Sequence, residues 1–408
     1  MSTAKKLAML GALYFVEGMP WGFQSKALPV YLRETGVSLT LIGLLNLLSL
    51  PWMTKLLWAP LVDRYGSVRV GRRKSWILPL SFALIVFCLA AGYAARSMDL
   101  TILLGLIFLM NTCAATMDIA VDGMAVDLLR DRELGTGNIA QVVGYKFGTL
   151  TSGGLLVAAN ETLGWSGLFV VMAGIVAAVT VAVAFFEEPP PAEPGCGETR
   201  LRDIVALLVA QTRRPGAIAL FIFIATYKTG EQLVDSMFKP FLIDAGFSAA
   251  QVGFWVSTVG MGASLTGSFL GGLAASRYPL LPAIGVAAAL RVLPVASVAW
   301  LTTTQPTPAT VVIVAVAENF FGGVLTTIMF AYMMSRTDRR IGASHYTLLA
   351  TIEMLGKAPI PLLAGPMAEH HGYTATFGVG AVLSLLYLGL LIPLKRSEEP
   401  DASRSPAP

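Results

Sequence analysis

The sequence predicts an all-α integral membrane protein whose twelve transmembrane helices form two pseudo-symmetric six-helix bundles. Hydrophobic residues make up 55% of the 408 residues, charged residues only 13%, and the mean hydropathy is +0.68. A soluble domain is about one quarter charged, so this chain has too much apolar surface to hide from water. Apolar runs of about 20 residues, the length of a bilayer-spanning helix, recur along it. They argue against a membrane β-barrel, whose strands alternate over about 10 residues.

Turn-forming residues divide the apolar sequence into twelve predicted spans. Basic residues precede the first run, but Glu17 interrupts it and no small-residue cleavage site follows, so we expect a retained helix and not a signal peptide. The predicted spans are 8–32, 38–61, 76–95, 100–129, 137–160, 164–186, 214–243, 248–274, 279–301, 308–335, 342–368 and 373–394.

Basic residues concentrate in the loops on one side of these spans. Those loops include the "GRRK" stretch at 71–74 and the "RTDRR" stretch at 336–340, whereas the loops of the opposite side hold Arg33 and Arg96. The positive-inside rule therefore places both termini and the central loop in the cytoplasm. This topology accounts for the formal net charge of +4, and no nucleic-acid partner is predicted.

Three short motifs of the first half recur in the second half at a nearly constant separation. An internal repeat in a polytopic protein indicates two related bundles with the substrate path between them at mid-membrane, which is typical of a secondary transporter. The motif pairs are "GVSLTLIG" (36–43) with "GFSAAQVG" (246–253), "DRY" (63–65) with "SRY" (276–278), and "GWSGLF" (164–169) with "GYTATF" (372–377).

The Pro- and Glu-rich stretch "EEPPPAEPGCGE" separates the two halves and reads as a flexible cytoplasmic loop. The predicted domains are an N-terminal bundle at 1–186, a linker at 187–213, a C-terminal bundle at 214–396 and a disordered cytoplasmic tail at 397–408. Because one chain contains both bundles, a monomer suffices.

The cytoplasmic loop "PLVDRYGSVRVGRRKSW" predicts a gating latch. Asp63, near a helix end, can accept from cationic side chains or from a neighbouring helix N-terminus. Arg72 and Arg73 anchor at the inner surface and can pair with acids across the bundle. Such pairs form in one state and break in the other. The alternative is an ordinary positive-inside loop.

Two carboxylates lie one turn apart inside the apolar fourth span. Asp118 and Asp122 share a helix face, where their like charges repel, and proton uptake by one of them relieves the repulsion. That property suits a proton-coupled carrier, so both are candidate proton sites, with Lys55 and Lys146 as candidate partners. The alternative is a fixed Asp–Lys pair that joins helices. Asp127 is off this face and is interpreted as interfacial.

The remaining intramembrane polar residues give the candidate substrate contacts, because ionisable groups in spans usually mark a substrate or ion path. The stretch "EGMPWGFQSKALP" (17–29) in the first span holds two prolines and two glycines, which favour a broken helix at a cavity, although packing aromatics explain Trp21 equally well. The glycines of "GYKFG" would give a bulky substrate access to the backbone beside Tyr145. Local pairing is the alternative for the charged stripe that begins at Lys228. The candidates are Trp21, Gln24, Lys55, Tyr145, Lys146, Lys228, Glu231, Arg291 and Glu318.

Several classes of protein are excluded by what the sequence does not contain. It has no Gly-x-x-x-x-Gly-Lys-Ser/Thr motif, so ATP does not drive it directly, and no His-Glu-x-x-His motif or Ser/His/Asp arrangement. We therefore predict that it is not an enzyme and that it has no cofactor and no bound metal.

Several stretches resemble a known transporter family. The loop at 60–76 resembles the signature loop of the major facilitator superfamily, and "LPWMTKLLWAPLVDRYG", "DIAVDGMAVDLL", "VVGYKFGTLTSGGLL" and "AENFFGGVLTTIMFAYMM" resemble its AmpG-type muropeptide permease branch. That branch is grouped with acetyl-CoA transporters and pyochelin/rhizobactin-type siderophore importers. Many muropeptide permeases carry two further C-terminal helices, and the twelve-helix length is closer to that of the siderophore importers.

The resemblance implies proton-driven import across the inner membrane, by alternating access, of a polar or anionic conjugate such as a muropeptide or a siderophore. The expected partners are that small molecule, protons and the lipid bilayer. Three alternatives remain open: acetyl-CoA or another solute moved without proton coupling, a transporter-like sensor, and a membrane-embedded acyltransferase.

Overall fold

Every regular element that the structure describes is a helix, as the composition predicts. One isolated bridge, between Ser67 and Gly71, is the β-type feature of this part of the chain. The structure is a computed structural model that describes residues 2–34, 44–67, 69–97, 99–188 and 200–394.

The helices of the first half follow the first six predicted spans, and short π or 3₁₀ segments interrupt some of them. They are α1 (Thr3–Gly22), α2 (Leu28–Glu34), α3 (Leu50–Thr54), α4 (Ala59–Arg64), α5 (Lys74–Ser97), α6 (Leu100–Leu128), α7 (Leu134–Leu150), α8 (Leu156–Ala158) and α9 (Asn160–Ala184).

The helices of the second half begin with α10, which lies in the sequence before the predicted seventh span. They are α10 (Leu201–Thr212), α11 (Ala217–Thr226), α12 (Thr229–Asp244), α13 (Ala249–Val252), α14 (Gly260–Arg277), α15 (Leu280–Leu301), α16 (Pro308–Ser335), α17 (Gly342–Lys357) and α18 (Ile360–Tyr387).

Seven helical stretches among the described residues are long and apolar enough to cross a membrane. Other predicted spans are broken inside the apolar run. A π-helical segment at Phe23–Ala27 separates α1 from α2, and others lie at Thr151–Leu155 and Gly253–Val259. The second span consists of short helices joined by 3₁₀ turns such as Lys55–Leu57. Such irregular turns are uncommon and occur often at functional sites.

The internal repeat is visible in the backbone. Gly164 has φ 64° and ψ 163°, and its predicted counterpart Gly372 has φ 79° and ψ 166°. Both interrupt a helix in the left-handed half of φ, which glycine adopts without steric cost. Gly372 lies inside α18, at the boundary predicted between the last two spans. The motif copy at 36–43 lies outside the described residues.

The described chain forms two compact units. In the first unit, α5 packs against α6 and α9, and α1 packs against α6. In the second, α14 packs against α16, and α12 and α15 pack against α18. The first unit comprises Met1–Arg130, Ala140–Leu208 and Thr337–Leu348; the second comprises Asp131–Ile139, Val209–Arg336 and Leu349–Pro408.

The predicted domain boundaries stay a prediction. Most of the predicted linker's Pro-rich stretch (189–199) and the whole predicted tail (397–408) lie outside the described residues. The linker residues that are described include α10.

Glycines allow α1 and α7 to pack with their backbones in contact. A Cβ added at Gly148 would overlap the carbonyl oxygen of Phe15, and one added at Gly144 would lie 2.6 Å from that of Gly11. Small residues at a membrane helix interface permit this close approach. The glycines of the "GYKFG" motif therefore pack against α1, which corrects the expectation that they give a substrate access to the backbone.

Gly148→Ala should destabilise the protein by about 1–3 kcal/mol, the usual cost of overpacking. Gly174→Ala is the matched control because an added Cβ at Gly174 meets nothing within 4 Å. The control should be neutral or stabilising by up to about 1 kcal/mol, from helix propensity. Thermal unfolding of the purified protein in detergent measures both, and equal midpoints for the two variants would contradict this account of the interface.

Candidate functional site

Asp118 of α6 forms an ion pair with Lys55 of the second predicted span. The Lys55 Nζ donates to Asp118 Oδ2, and both side chains are buried. Lys55 begins a 3₁₀ turn inside the apolar run, which directs its side chain inward to α6. Its Nζ also lies 5.7 Å from the centroid of the Trp52 ring, a cation–π distance. Of the two lysines predicted as partners, the structure thus brings Lys55 to Asp118.

Asp122, one turn further along α6, is held by neutral donors. Its Oδ1 accepts from the Tyr14 hydroxyl at 2.8 Å and from Gln141 Nε2 at 3.0 Å. The Tyr346 hydroxyl in turn donates to Gln141 Oε1 at 3.2 Å. Among the described side chains no cation pairs with Asp122, which is 2% exposed. The two buried acids of α6 therefore differ: Asp118 pairs with an ammonium group, whereas Asp122 accepts hydrogen bonds from neutral groups.

Three aromatic rings stand next to the Lys55–Asp118 pair. The ring centroids of Trp21 and Trp52 are 6.3 Å apart, as are those of Trp52 and Tyr145, and both pairs meet edge to face. The Trp52 indole donates to Asn111 Oδ1 at 2.9 Å, which fixes its ring. Trp21 and Tyr145 are therefore close to Lys55 in space, as candidate substrate contacts need to be.

Gln24 lies in the π-helical break that follows α1. Its Nε2 donates to Ser49 Oγ at 2.7 Å and to the Leu45 carbonyl at 3.3 Å, while its buried Oε1 has no hydrogen-bond partner in the described part of the chain. The break and the polar group coincide, as expected for a discontinuous helix at a cavity. Lys146 is half-buried on α7, beside Tyr145.

A second charged cluster lies in the second unit, around Arg291 of α15. Its Nε donates to Glu231 Oε2 at 3.3 Å, and its other guanidinium nitrogens bond to the carboxylate and the carbonyl oxygen of Glu318. Lys228 Nζ lies 3.9 Å from Glu231 Oε1. Carboxylate oxygens of Glu231, Asp235 and Glu318 lie within 4.8 Å of one another. The Arg291 guanidinium group already pairs with two of these acids, so the cluster contains a buried cation together with carboxylates that compensate its charge.

The predicted latch is an arrangement around Asp63 within the first unit. Asp63 Oδ1 accepts from Arg73 Nη2 at 2.8 Å and from the Ala343 amide at 3.3 Å. Its Oδ2 accepts from the amide and hydroxyl of Ser344 at 2.7 and 2.6 Å. The carboxylate thus sits on the N-terminal turn of α17, where unpaired amides and the helix dipole favour an anion.

Arg72 and Arg73 converge on Asp127, which the sequence analysis interpreted as merely interfacial. Arg73 Nε and Arg72 Nη2 lie 3.1 and 3.2 Å from Asp127 Oδ2. Arg73 is 0% exposed, so it does not anchor at the membrane surface as predicted but pairs inside the fold. Glu188 accepts from the Arg73 amide at 3.0 Å and so fixes the loop backbone.

Sequence reasoning missed the neutral polar residues that hold these charges. Tyr14, Asn111, Gln141 and Ser344 all contact a predicted residue or its neighbour. Asn111 carried a usable signal, because it lies seven residues before Asp118 and therefore shares its helix face. The others are on different helices, and no spacing along the chain connects them to their partners.

Comparison with known proteins agrees with this architecture. The family model described as Major Facilitator Superfamily matches residues 10–358 and 220–407. The chain is 30% identical over 388 residues to the protein named anhydromuropeptide permease of Escherichia coli strain K12, covering 94% of this chain and 79% of that protein. It is 24% identical to the putative transporter AmpG 4 of Rickettsia felis, covering 94% and 95%.

Solved structures of transporters share the fold. The outward conformation of the major facilitator FucP superposes with a TM-score of 0.74 at 13% identity, covering 96% of this chain and 98% of that one. The human organic anion transporter MFSD10 gives 0.70 at 16% identity, covering 96% and 100%. The matched proteins named here are transporters and not enzymes. The described part of this chain is helical and apolar over the residues that they match. The chain belongs to the Major Facilitator Superfamily, as a multi-pass membrane transporter and a homologue of the AmpG-type muropeptide permeases.

Proposed function

We propose that the chain imports a polar or anionic muropeptide-type conjugate across the inner membrane, coupled to protons, with both termini in the cytoplasm. The relatives named as muropeptide permeases support this substrate class because they match nearly the whole chain. The observation that carries the coupling is the pair of buried acids on α6, Asp118 and Asp122, held by different kinds of partner.

The Lys55–Asp118 pair would allow an anionic group of the substrate to replace the Asp118 carboxylate as the partner of Lys55. An anionic group of the substrate competes with Asp118 for the Lys55 ammonium group, and the released carboxylate is then available to a proton. In the second unit, Arg291 and Lys228 supply further cationic groups next to Glu231 and Glu318. The rings of Trp21 and Tyr145 suit the apolar faces of a sugar.

The latch residues set the conformational side of this mechanism. Asp63 bonds to the first turn of α17 and to Arg73 in the same unit. If α17 moves during alternating access, these bonds break together, so Asp63, Arg72 and Arg73 would bias one state against another.

Uptake into proteoliposomes under an imposed pH gradient tests the proposal. Labelled anhydro-muropeptide and a labelled ferric siderophore are compared, each with and without a protonophore. Protonophore-sensitive accumulation of the anhydro-muropeptide is expected. Accumulation of the siderophore alone would reassign the substrate, and uptake of either that ignores the pH gradient would indicate a uniporter or exchanger.

Asp118→Asn and Asp122→Asn should each reduce accumulation under a pH gradient of one unit by up to about tenfold, the ratio that one unit sustains for one proton per substrate. Both variants should still reach the membrane, because asparagine keeps the size of the side chain. Asp203→Asn, in the exposed first turn of α10, is the matched control and should behave like the wild type. Wild-type accumulation by both α6 variants would remove these acids from the coupling mechanism.

A further inference from the structure

Glu17 of α1 is a buried acid whose carboxyl group has no hydrogen-bond partner among the described residues. It is 0% exposed, and neither of its carboxylate oxygens has a hydrogen-bond donor in the ranges that the structure describes. An ionised carboxylate buried in this way is among the most costly groups in a protein. The other buried acids of the first unit do not share this condition, since Asp118 pairs with Lys55, Asp122 accepts two hydrogen bonds and Asp63 accepts four.

The surroundings of Glu17 contain more acids than bases. Asp118 and Asp122 face it from α6, Lys55 from the second span, Tyr145 from α7, and Tyr14 lies one turn earlier on α1. If all three carboxyl groups were ionised, three negative charges would face one ammonium group, an excess of two negative charges. Lys55 is already bonded to Asp118, which leaves Glu17 and Asp122 without a paired cation. Asp122 accepts two hydrogen bonds, whereas Glu17 has no donor among the described residues.

The closeness of Glu17 to Asp118 in the fold gives the second argument. Tyr14, one turn before Glu17 on α1, donates to Asp122, one turn after Asp118 on α6, so Glu17 and Asp118 occupy neighbouring positions where α1 packs against α6. Ionised carboxylates only accept hydrogen bonds and repel each other at neighbouring positions, and a proton on one of them removes this repulsion. Asp118 is the group bonded to the lysine, and a protonated Glu17 would donate to it. One proton on Glu17 thus converts two unpaired acceptors into a donor and an acceptor.

We propose that Glu17 carries the transported proton, with Asp118 as the group to which it passes that proton. In the conformation described here the carboxyl group of Glu17 is neutral and donates to Asp118. When a substrate anion draws Lys55 away, the Glu17 O–H bond breaks and the proton moves to Asp118. From Asp118 the proton leaves to water on the cytoplasmic side of the membrane. The inference rests on the proposed function for its transport step, but not for the resting position of the proton.

Infrared spectroscopy of the purified protein tests the resting position without any substrate. A protonated carboxyl group has a C=O stretch that is distinct from that of a carboxylate and shifts in heavy water. At neutral pH the wild type should show this band, and Glu17→Gln should lose it, whereas Asp122→Asn should retain it. A band that survives in Glu17→Gln, or is lost only in Asp118→Asn, would place the proton elsewhere and overturn the proposal.

Transport assays test the coupling role with labelled anhydro-muropeptide as the probe. Glu17→Gln should retain counterflow, which needs no net proton movement, and lose accumulation under a pH gradient of one unit, a decrease of about tenfold. Glu161→Gln, an exposed change in the same unit, should keep both activities. Loss of counterflow together with accumulation would assign Glu17 to substrate movement instead, and accumulation driven by a sodium gradient would replace the proton with a metal cation; both results overturn the proposal.

The two assays separate failure of this inference from failure of the proposed function. If wild-type protein does not accumulate the probe under any pH gradient, proton-coupled import of that probe is wrong. The infrared result then still decides whether Glu17 holds a proton. If the wild type accumulates the probe and Glu17→Gln does so equally well, the proposed function stands and the role of Glu17 is refuted.

Discussion

Asp63→Ala should lower the stability of the protein by about 3–5 kcal/mol, the cost of removing one partner from a buried ion pair. Asp63 is 2% exposed and accepts from Arg73, Ala343 and Ser344. Its removal leaves the guanidinium of Arg73 with less compensation and leaves two amides of the first turn of α17 without an acceptor. Arg73 is itself fully buried, so water does not compensate its charge where it lies.

A surface ion pair close in sequence to α17 provides the control. Arg340 Nη2 lies 2.7 Å from Asp338 Oδ2, but the Arg340 side chain is 49% exposed. Arg340→Ala should therefore cost less than about 1 kcal/mol. The two variants are compared by thermal unfolding in the same detergent. A shift for Asp63→Ala as small as that for Arg340→Ala would mean that the latch contributes nothing to this state.

The fold class could be predicted because a bilayer imposes simple rules on sequence. The apolar runs, the loop charges and the repeated "GWSGLF" and "GYTATF" motifs all derive from local composition, and the positive φ angles of Gly164 and Gly372 agree with that repeat. The internal breaks were less accessible. Proline and glycine in the first span predicted a discontinuity, but nothing in the sequence specifies a π-helical segment at Phe23–Ala27.

The site could be predicted only where charge alone identifies a residue. A charged side chain in an apolar run is conspicuous, which is why Lys55, Asp118 and Arg291 were identified from the sequence. Which charge pairs with which depends on helix packing, and a sequence gives no distances between helices. Asp127 was therefore interpreted as interfacial, although it bonds two arginines that lie more than 50 residues away along the chain.

Glu17 illustrates the remaining limit. The sequence places it among more than a dozen intramembrane charges, each equally conspicuous. What distinguishes it is the absence of a donor around it in the described structure, and that is a property of packing. Gly148 is a second example, because the sequence alone does not distinguish a glycine that packs against Phe15 from one that faces lipid.

A double-mutant cycle on Lys55 and Asp118 should separate a structural pair from a functional one. Lys55→Met leaves Asp118 as an unpaired buried carboxylate and should cost about 3–5 kcal/mol of stability. Asp118→Leu should cost a similar amount, because it leaves the ammonium group of Lys55 unpaired. The double variant replaces the pair by apolar groups of similar volume and should recover most of the loss, as buried ion pairs elsewhere do.

Transport by the double variant then decides between the two interpretations. A fixed pair that only joins the second span to α6 would let the stable double variant accumulate labelled anhydro-muropeptide like the wild type. We expect instead that it unfolds near the wild-type temperature but shows no accumulation under a pH gradient, because it lacks both the cation that meets the substrate anion and the carboxylate that receives the proton. Stability and transport should therefore separate in this variant, whereas in Lys55→Met and Asp118→Leu they should be lost together.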